Sequence, residues 1–172
     1  MNPKHLLDMA KLLVDPPVSV RGAPRQMNLR RAVSDAYYAL FHAVSADVER
    51  SWPGESRLKK ALRRAVNHRD LRTASERFRQ KEANGKNGAV KNGWLTAISP
   101  ELDLVANTVV DLQNFRHKAD YDPDYRLSRN EARDIVLSAV EAVEALGSLR
   151  NRTEYGWYLA GVLIGPDRLK RG

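Results

Sequence analysis

The chain has 172 residues, of which 42 % are hydrophobic and 29 % charged, and it contains no cysteine. This length and composition predict a folded protein of about one domain, and the lack of cysteine excludes disulfides, cysteine-ligated zinc, iron–sulfur clusters and thiol catalysis. Its longest apolar run, residues 157–164, is too short to cross a membrane, and residues 1–11 lack a secretory signal pattern. We therefore expect a soluble, cytoplasmic protein with no membrane partner.

The net charge of +8 is concentrated in residues 55–91. This segment holds twelve Lys and Arg but only four Asp and Glu, whereas the rest of the chain is balanced. A basic segment of this kind attracts polyanions, although it can also be a solvated helix face that maintains solubility. The residues that we predict to contact nucleic acid lie at its start: Arg57, Lys59, Lys60, Arg63 and Arg64.

Helix signals follow one another along the first half of the chain. Asn2 followed by Pro3 predicts a helix start, and the Pro16-Pro17 pair predicts its end. Residues 26–50 include no proline or glycine, and their apolar residues recur with helical period. The predicted helices that follow span residues 26–50 and 55–66, and residues 71–82 form either another helix or a continuation of the second one. A run of Asn-Gly pairs at residues 84–93 predicts a loop.

The second half begins with a helix-start signal at Ser99, and the helix is predicted to end near Ala119. Ser128 and Glu131 predict a capping box for the next helix, and Gly147 is its predicted C-cap. Residues 153–165 contain glycines that disfavour a helix, and their aromatic residues fit an extended segment packed on the body. Together these signals predict an all-α bundle of four or five helices over residues 1–149 and a C-terminal extension over residues 150–172.

One stripe of the helix at residues 26–50 carries polar groups beside a row of alanines. At 100° per residue, the polar stripe consists of Arg31, Asp35, Tyr38, His42 and Ser45. The alanines would allow another helix to approach closely, so the polar stripe could line the edge of an interhelical cleft. The alternative is a surface stripe with an ordinary Arg31–Asp35 pair, an alignment that is common by chance.

Arg116 extends the apolar stripe of the helix that starts after Ser99. An arginine on a buried face must be paired, so one interpretation is a structural bridge to Asp120 or Asp35. The other interpretation is an arginine at the floor of a cleft, facing a phosphate, beside the titratable His117. The apolar stripe that leads to it consists of Leu102, Val105, Val109 and Leu112.

Two segments of the chain resemble HEPN-domain proteins (higher eukaryote and prokaryote nucleotide-binding). Residues 31–42, Arg-Ala-Val-Ser-Asp-Ala-Tyr-Tyr-Ala-Leu-Phe-His, resemble the helix signature of that family. Residues 116–121, Arg-His-Lys-Ala-Asp-Tyr, stand where the family carries its arginine-centred motif. The resemblance covers residues 3–149. It implies a dimeric bundle of four or five helices in which two copies of the motif face each other.

The resemblance also implies an activity, since many family members are metal-independent endoribonucleases and toxins paired with a nucleotidyltransferase-like antitoxin. It matches Arg116 to the arginine of the motif and His117 to the polar position beside it. Together with Tyr121 these are the predicted catalytic residues, and Asp120, Asp35, Tyr38 and His42 are predicted to support the cleft. The family motif ends in a histidine, but this sequence continues with Tyr121, Asp122 and Pro123. The alternative is therefore a non-catalytic module that binds a nucleotide, an RNA or a partner protein.

Metal-independent RNA cleavage needs a base for the 2′-hydroxyl, a cation for the phosphorane and an acid for the leaving oxygen. Arg116 would supply the cation, and His117 or His42 the base or the acid. Tyr121 can donate a hydrogen bond, but a pKa near 10 makes it a poor base. The histidines and aspartates lack a recognised metal-ligand spacing, so we predict neither a metal nor another cofactor.

Overall fold

The computed structural model describes residues 2–17, 22–79, 89, 95–166 and 168–170. Within these residues the chain is all-helical, with seven α-helices and no strand. The helices are α1 (Pro3–Val14), α2 (Gln26–Ser51), α3 (Ser56–Ala65), α4 (His68–Phe78), α5 (Pro100–Tyr121), α6 (Arg129–Leu149) and α7 (Thr153–Ile164), followed by a 3-10 turn at Arg168–Lys170. The predicted all-α class is confirmed. The described helices outnumber the predicted four or five because the two basic segments form separate helices and the tail forms another.

Local capping signals set the starts of three helices. The side chain of Asn2 accepts from the Lys4 amide at 3.0 Å, and that of Ser99 accepts from the Leu102 amide at 3.3 Å. Ser128 and Glu131 form the predicted capping box. These contacts satisfy amides that have no partner within the helix. The predicted loop at the Asn-Gly pairs lies outside the described residues, apart from Ala89.

The prediction that Gly147 caps α6 is wrong. The helix continues to Leu149, whose side chain is fully buried, and the chain turns at Asn151 with a φ of +73°. Burial of Leu149 stabilises the last turn of the helix beyond the glycine. A glycine within a helix costs only about 1 kcal/mol relative to alanine, which this packing offsets.

Helix α2 is the centre of the bundle and packs against α1, α5 and α6. Its predicted apolar face is buried throughout, with every member at most 2 % exposed: Leu29, Val33, Tyr37, Leu40 and Val44. The alanines Ala32, Ala36 and Ala39 are also fully buried. Their small side chains let neighbouring helices approach α2 closely, as the sequence predicted.

The tail forms a helix rather than the extended segment that its glycines and aromatics favoured. Helix α7 packs against α4, where the Tyr158 and Ser75 hydroxyls are 2.8 Å apart. Tyr155 reaches α2 and donates to Asp47 Oδ2 at 3.0 Å. Burial of these aromatic side chains offsets the low helix propensity of the glycines. The domain boundary between residues 149 and 150 stays a prediction.

Candidate functional site

Arg116 lies in the last two turns of α5, where α5 packs against α2. Its side chain is only 19 % exposed. Nη2 donates to the Tyr38 hydroxyl at 2.9 Å, and Nε lies 2.6 Å from Asp120 Oδ2. Asp120, one of the two bridging partners considered from the sequence, is therefore the ion-pair partner of Arg116. Nη1 makes no hydrogen bond with any described residue, so this edge of the guanidinium remains able to bind an anion.

Two aromatic rings lie beside the Arg116 guanidinium. Its Cζ is 5.4 Å from the ring centre of Tyr38 and 5.5 Å from that of Tyr121, both within cation–π range. Burial opposes the charge, but the neighbouring Tyr38, Asp120 and Tyr121 favour it, and the pKa of Arg116 is raised overall. Arg116 is thus a permanent cation whose position is set by side chains from α2 and α5.

Two residues of α2 that the sequence analysis did not select hold the end of α5 in place. The Ser34 hydroxyl donates to Asp120 Oδ1 at 2.5 Å. Arg30 donates to the carbonyl oxygens of Ala119 at 2.7 Å and Asp122 at 2.6 Å, at the C-terminal end of α5 where carbonyls lack partners within the helix. The Asp122 carbonyl also accepts from the Tyr125 amide at 3.3 Å. Arg30, Ser34 and Tyr38 are spaced four residues apart, so this face of α2 could have been found from its helical period.

Asp35 does not form the alternative bridge to Arg116 that the sequence left open, since Arg116 is paired with Asp120. It is 4 % exposed and pairs with Arg31, whose Nε lies 2.9 Å from Oδ1. Arg31 lines a surface pocket of about 610 Å³ together with Ser34, Tyr38 and Asp120. Asp35 therefore borders the site through Arg31, as in the structural interpretation of this pair.

The two predicted histidines lie in different surroundings. His117 is exposed, and its ring centre is 5.1 Å from that of Tyr121, which is itself 64 % exposed. His117 lines a pocket of about 430 Å³ beside Arg72. His42 is half-buried and stacks on Tyr38 with 6.3 Å between ring centres. Arg116, Tyr38, Asp120 and Tyr121 form the Arg116 cluster. Through Tyr38 and Tyr121, both imidazoles border this cluster, although neither is hydrogen-bonded to Arg116.

A third histidine, His68, belongs to this cluster and was missed by the sequence analysis. It is the first residue of α4, and its Nδ1 lies 2.7 Å from the buried Tyr37 hydroxyl. Its ring centre is 4.2 Å from that of Phe41 and 5.9 Å from that of Tyr38. No spacing along the chain signals this position, because the tertiary packing of α4 brings His68 to α2.

The half-buried imidazoles of His42 and His68 both favour the neutral form. Burial, with the Arg63 and His68 charges, lowers the pKa of His42, and burial together with Arg116 lowers that of His68. Each is therefore largely unprotonated at neutral pH, as a general base must be. The cluster thus combines a fixed cation with two imidazoles able to accept a proton.

The five predicted nucleic-acid-binding residues all lie on α3, a helix that has no buried residue. Arg63 Nη1 lies 3.0 Å from Glu49 Oε2, and this contact ties α3 to α2. Lys60, Arg63 and Arg64 line a pocket of about 410 Å³ opposite His42. Arg57 and Lys59 are not among its lining residues, so the structure brings three of the five predicted residues to one site.

Two kinds of feature are absent from the residues that the structure describes, namely clusters of metal-ligating side chains and membrane-spanning helices. Across these ranges, no three histidine, aspartate or glutamate side chains converge on a point where they could hold a metal ion. In the same part of the chain, no helix has the length and apolar character needed to span a membrane.

Comparison with known proteins returns no matching family model, no matching curated protein and no matching solved structure.

Proposed function

We propose that the chain is a HEPN-type, metal-independent endoribonuclease that binds RNA along α3 and cleaves it beside Arg116. The observation that carries this proposal is the position of Arg116. Its guanidinium is held between α2 and α5 by Tyr38 and Asp120, with Nη1 unbonded among the described residues. A preorganised cation of this kind stabilises charge that develops on a phosphate. The resemblance of residues 31–42 and 116–121 to the family motifs supports the same assignment.

The proposed reaction uses the 2′-hydroxyl of the RNA as nucleophile. Its oxygen attacks the adjacent phosphorus and gives its proton to a base, while the bond from phosphorus to the 5′ oxygen breaks and that oxygen takes a proton from an acid. His42 suits the base, because it is mostly neutral near pH 7 and stacks on Tyr38. His117 and Tyr121, which are both exposed and adjacent to each other beside Arg116, are the candidates for the acid.

The proposed enzyme is a homodimer, as the family resemblance implies. In the described part of one chain no histidine is hydrogen-bonded to Arg116, so a second copy facing the same cleft would supply the acid or base at closer range. Two exposed side chains border the Arg116 cluster and could meet the second copy: Met27, 71 % exposed, and Tyr121. A nucleotidyltransferase-like antitoxin is proposed from the resemblance alone.

A non-catalytic RNA- or nucleotide-binding module is the second candidate, and two observations favour it. Tyr121 stands where the family motif ends in a histidine, and the ion pair with Asp120 already offsets part of the Arg116 charge. Such a module would bind RNA through the basic surface of α3 but would not cleave it. Its signature is RNA binding that weakens steeply as salt rises, with no cleavage.

The proposal is tested by incubating RNA in EDTA with the wild-type chain, with Arg116→Ala and with Lys118→Ala. Lys118 is the matched control, because it lies on the same helix, carries the same charge and contacts Tyr125 rather than the Arg116 cluster. We expect cleavage by wild type and Lys118→Ala but not by Arg116→Ala. Binding without cleavage by the wild-type chain would instead support the non-catalytic module.

A further inference from the structure

The pocket between α2 and α3 is distinct from the direct contacts of Arg116. Its volume of about 410 Å³ lies within the range of small-ligand sites. One wall comes from α2 and carries Phe41, His42 and Ser45, and the other comes from α3 and carries Lys60 and Arg64. The pocket thus combines a wall that carries two aromatic rings with a cationic wall.

The charges at this pocket match a dianion. Lys60, Arg63 and Arg64 contribute three positive charges, and Glu49, paired with Arg63, contributes one negative charge. Lys60 and Arg64 are exposed and form no ion pair with any described residue. The excess of two positive charges fits a phosphate monoester, which carries about 1.5 to 2 negative charges at neutral pH. A phosphodiester linkage, with a single charge, would leave part of this excess uncompensated.

The opposite wall fits the nucleoside attached to such a phosphate. Phe41 and His42 present two rings with centres 5.4 Å apart, and Val66, 6 % exposed, adds an apolar surface. Because burial lowers the pKa of His42, this imidazole is mostly neutral and can stack or hydrogen-bond without adding charge. Aromatic side chains provide stacking surfaces for bases without requiring a particular base.

We propose that the pocket between α2 and α3 binds a nucleoside monophosphate group, either as a free nucleotide or as the phosphorylated end of an RNA. His42 lines this pocket and stacks on Tyr38, which in turn accepts a hydrogen bond from Arg116. An RNA whose end occupied the pocket could therefore continue toward Arg116. The RNA form of this inference rests on the proposed function, whereas the nucleotide form does not.

The nucleotide form is tested by calorimetric titration of the full chain with the four nucleoside 5′-monophosphates and, separately, with the four nucleosides. The test variant is Lys60→Ala/Arg64→Ala, and the control is Arg57→Ala/Lys59→Ala, which removes the same charge from the same helix outside the pocket. We expect at least one monophosphate to bind at least tenfold more tightly than its nucleoside. The test variant should lose about tenfold or more, and the control less than about threefold. Equal losses in both variants, or equal binding of nucleoside and nucleotide, would overturn the inference.

The source of the phosphate is tested with short RNAs of one sequence that carry either a phosphate or a hydroxyl at the 5′ or the 3′ end. Binding is measured by fluorescence anisotropy on the Arg116→Ala chain, whose Lys60 and Arg64 are intact. A preference for a terminal phosphate that disappears in Lys60→Ala/Arg64→Ala assigns the pocket to an RNA end. Monophosphate binding without such a preference assigns it to a free nucleotide. If the wild-type chain binds a monophosphate but cuts no RNA, the proposed nuclease activity is wrong and the assignment of the pocket still stands.

Discussion

Arg116 and Tyr38 meet across the contact between α5 and α2 through a hydrogen bond of 2.9 Å from Nη2 to the phenolic oxygen. The Tyr38 ring also lies 5.4 Å from the guanidinium carbon, so one side chain holds Arg116 by both its oxygen and its ring. Asp120 fixes the guanidinium from its own helix. The position of this cation thus depends on the packing of two helices that are far apart in sequence.

Removing the Tyr38 hydroxyl should destabilise the fold modestly. Tyr38→Phe keeps the ring but leaves Nη2 of Arg116 without its acceptor, so we expect the free energy of unfolding to fall by about 0.5–1.5 kcal/mol in urea titrations. Tyr121→Phe is the control, because the Tyr121 hydroxyl makes no hydrogen bond with any described residue and its side chain is 64 % exposed. Equal stability of wild type and Tyr38→Phe would show that this hydrogen bond contributes nothing.

The buried carboxylate of Asp47 should connect the tail to the core. Asp47 is 1 % exposed, accepts from Tyr155 at 3.0 Å and is paired with Arg150 at 3.2 Å. Asp47→Ala should cost about 1–3 kcal/mol, because the buried Tyr155 hydroxyl loses its acceptor. In a Tyr155→Phe background the cost should be smaller by about 1 kcal/mol. Additive effects in this double-mutant cycle would contradict the proposed coupling.

Close packing along the alanine row of α2 is testable at Ala36. This residue is fully buried, so Ala36→Leu should overfill the contact and lower the free energy of unfolding by about 1–3 kcal/mol. Ala46→Leu is the matched control. Ala46 lies on α2 with the same helical spacing as Ala32, Ala36 and Ala39, but it lines a pocket of about 470 Å³ that has room for the larger side chain. Thermal melting followed by circular dichroism should show a lower midpoint for Ala36→Leu than for Ala46→Leu. Equal midpoints would mean that the two sites are equally well packed.

Acid should destabilise the protein through His42 and His68. Burial lowers both pKa values below the ordinary 6.5, so the unfolded chain binds more protons than the folded one. Their contribution to stability is present above pH 6.5 and is lost as the pH falls through the lower folded values. Hydrogen bonds from Arg133 and Arg129 lower the pKa of Asp15 to about 2, so its contribution is lost only in much stronger acid.

The measurement is the thermal midpoint at several pH values between about 7.5 and 5, for wild type and for His68→Gln. We expect the wild-type midpoint to fall over this interval and the variant midpoint to fall less. Tyr37 and Arg116 face His68, and both keep the same charge throughout this range, so the difference isolates the imidazole. Parallel curves for the two proteins would contradict the role of His68.

Local signals in the sequence predict the starts of α1, α5 and α6, but the start of α4 behind its Asn67 cap was missed, and tertiary packing determines several other features. The caps at Asn2, Ser99 and Ser128 depend on residues three or fewer positions away, so they can be recognised without the fold. The end of α6 depends on the burial of Leu149, and the helical tail depends on its packing against α4. Neither contact is visible in the immediate sequence around the glycines.

The candidate site also combines contacts that follow from the local sequence with contacts that require the tertiary fold. The ion pair between Arg116 and Asp120 follows from a spacing of four residues on one helix, and it was among the predicted interpretations. The hydrogen bond from Ser34 to Asp120 and the position of His68 require the packing of α2 against α5 and α4. The spacing of Arg116 left a structural and a phosphate-facing interpretation open, and the family resemblance added the proposed role in RNA cleavage.

The most direct test of the account is the rate at which the chain cleaves RNA in EDTA, measured on one oligonucleotide and on its 2′-deoxy counterpart. We expect the wild-type chain to cut only the RNA, and we expect Arg116→Ala to cut it slower by about 10²–10³-fold, as when one oxyanion donor is removed. Circular dichroism of the variant must match the wild type, so that the loss reflects chemistry rather than folding. An RNA left intact by the wild type, or cut equally fast by Arg116→Ala, would contradict the proposed role of Arg116.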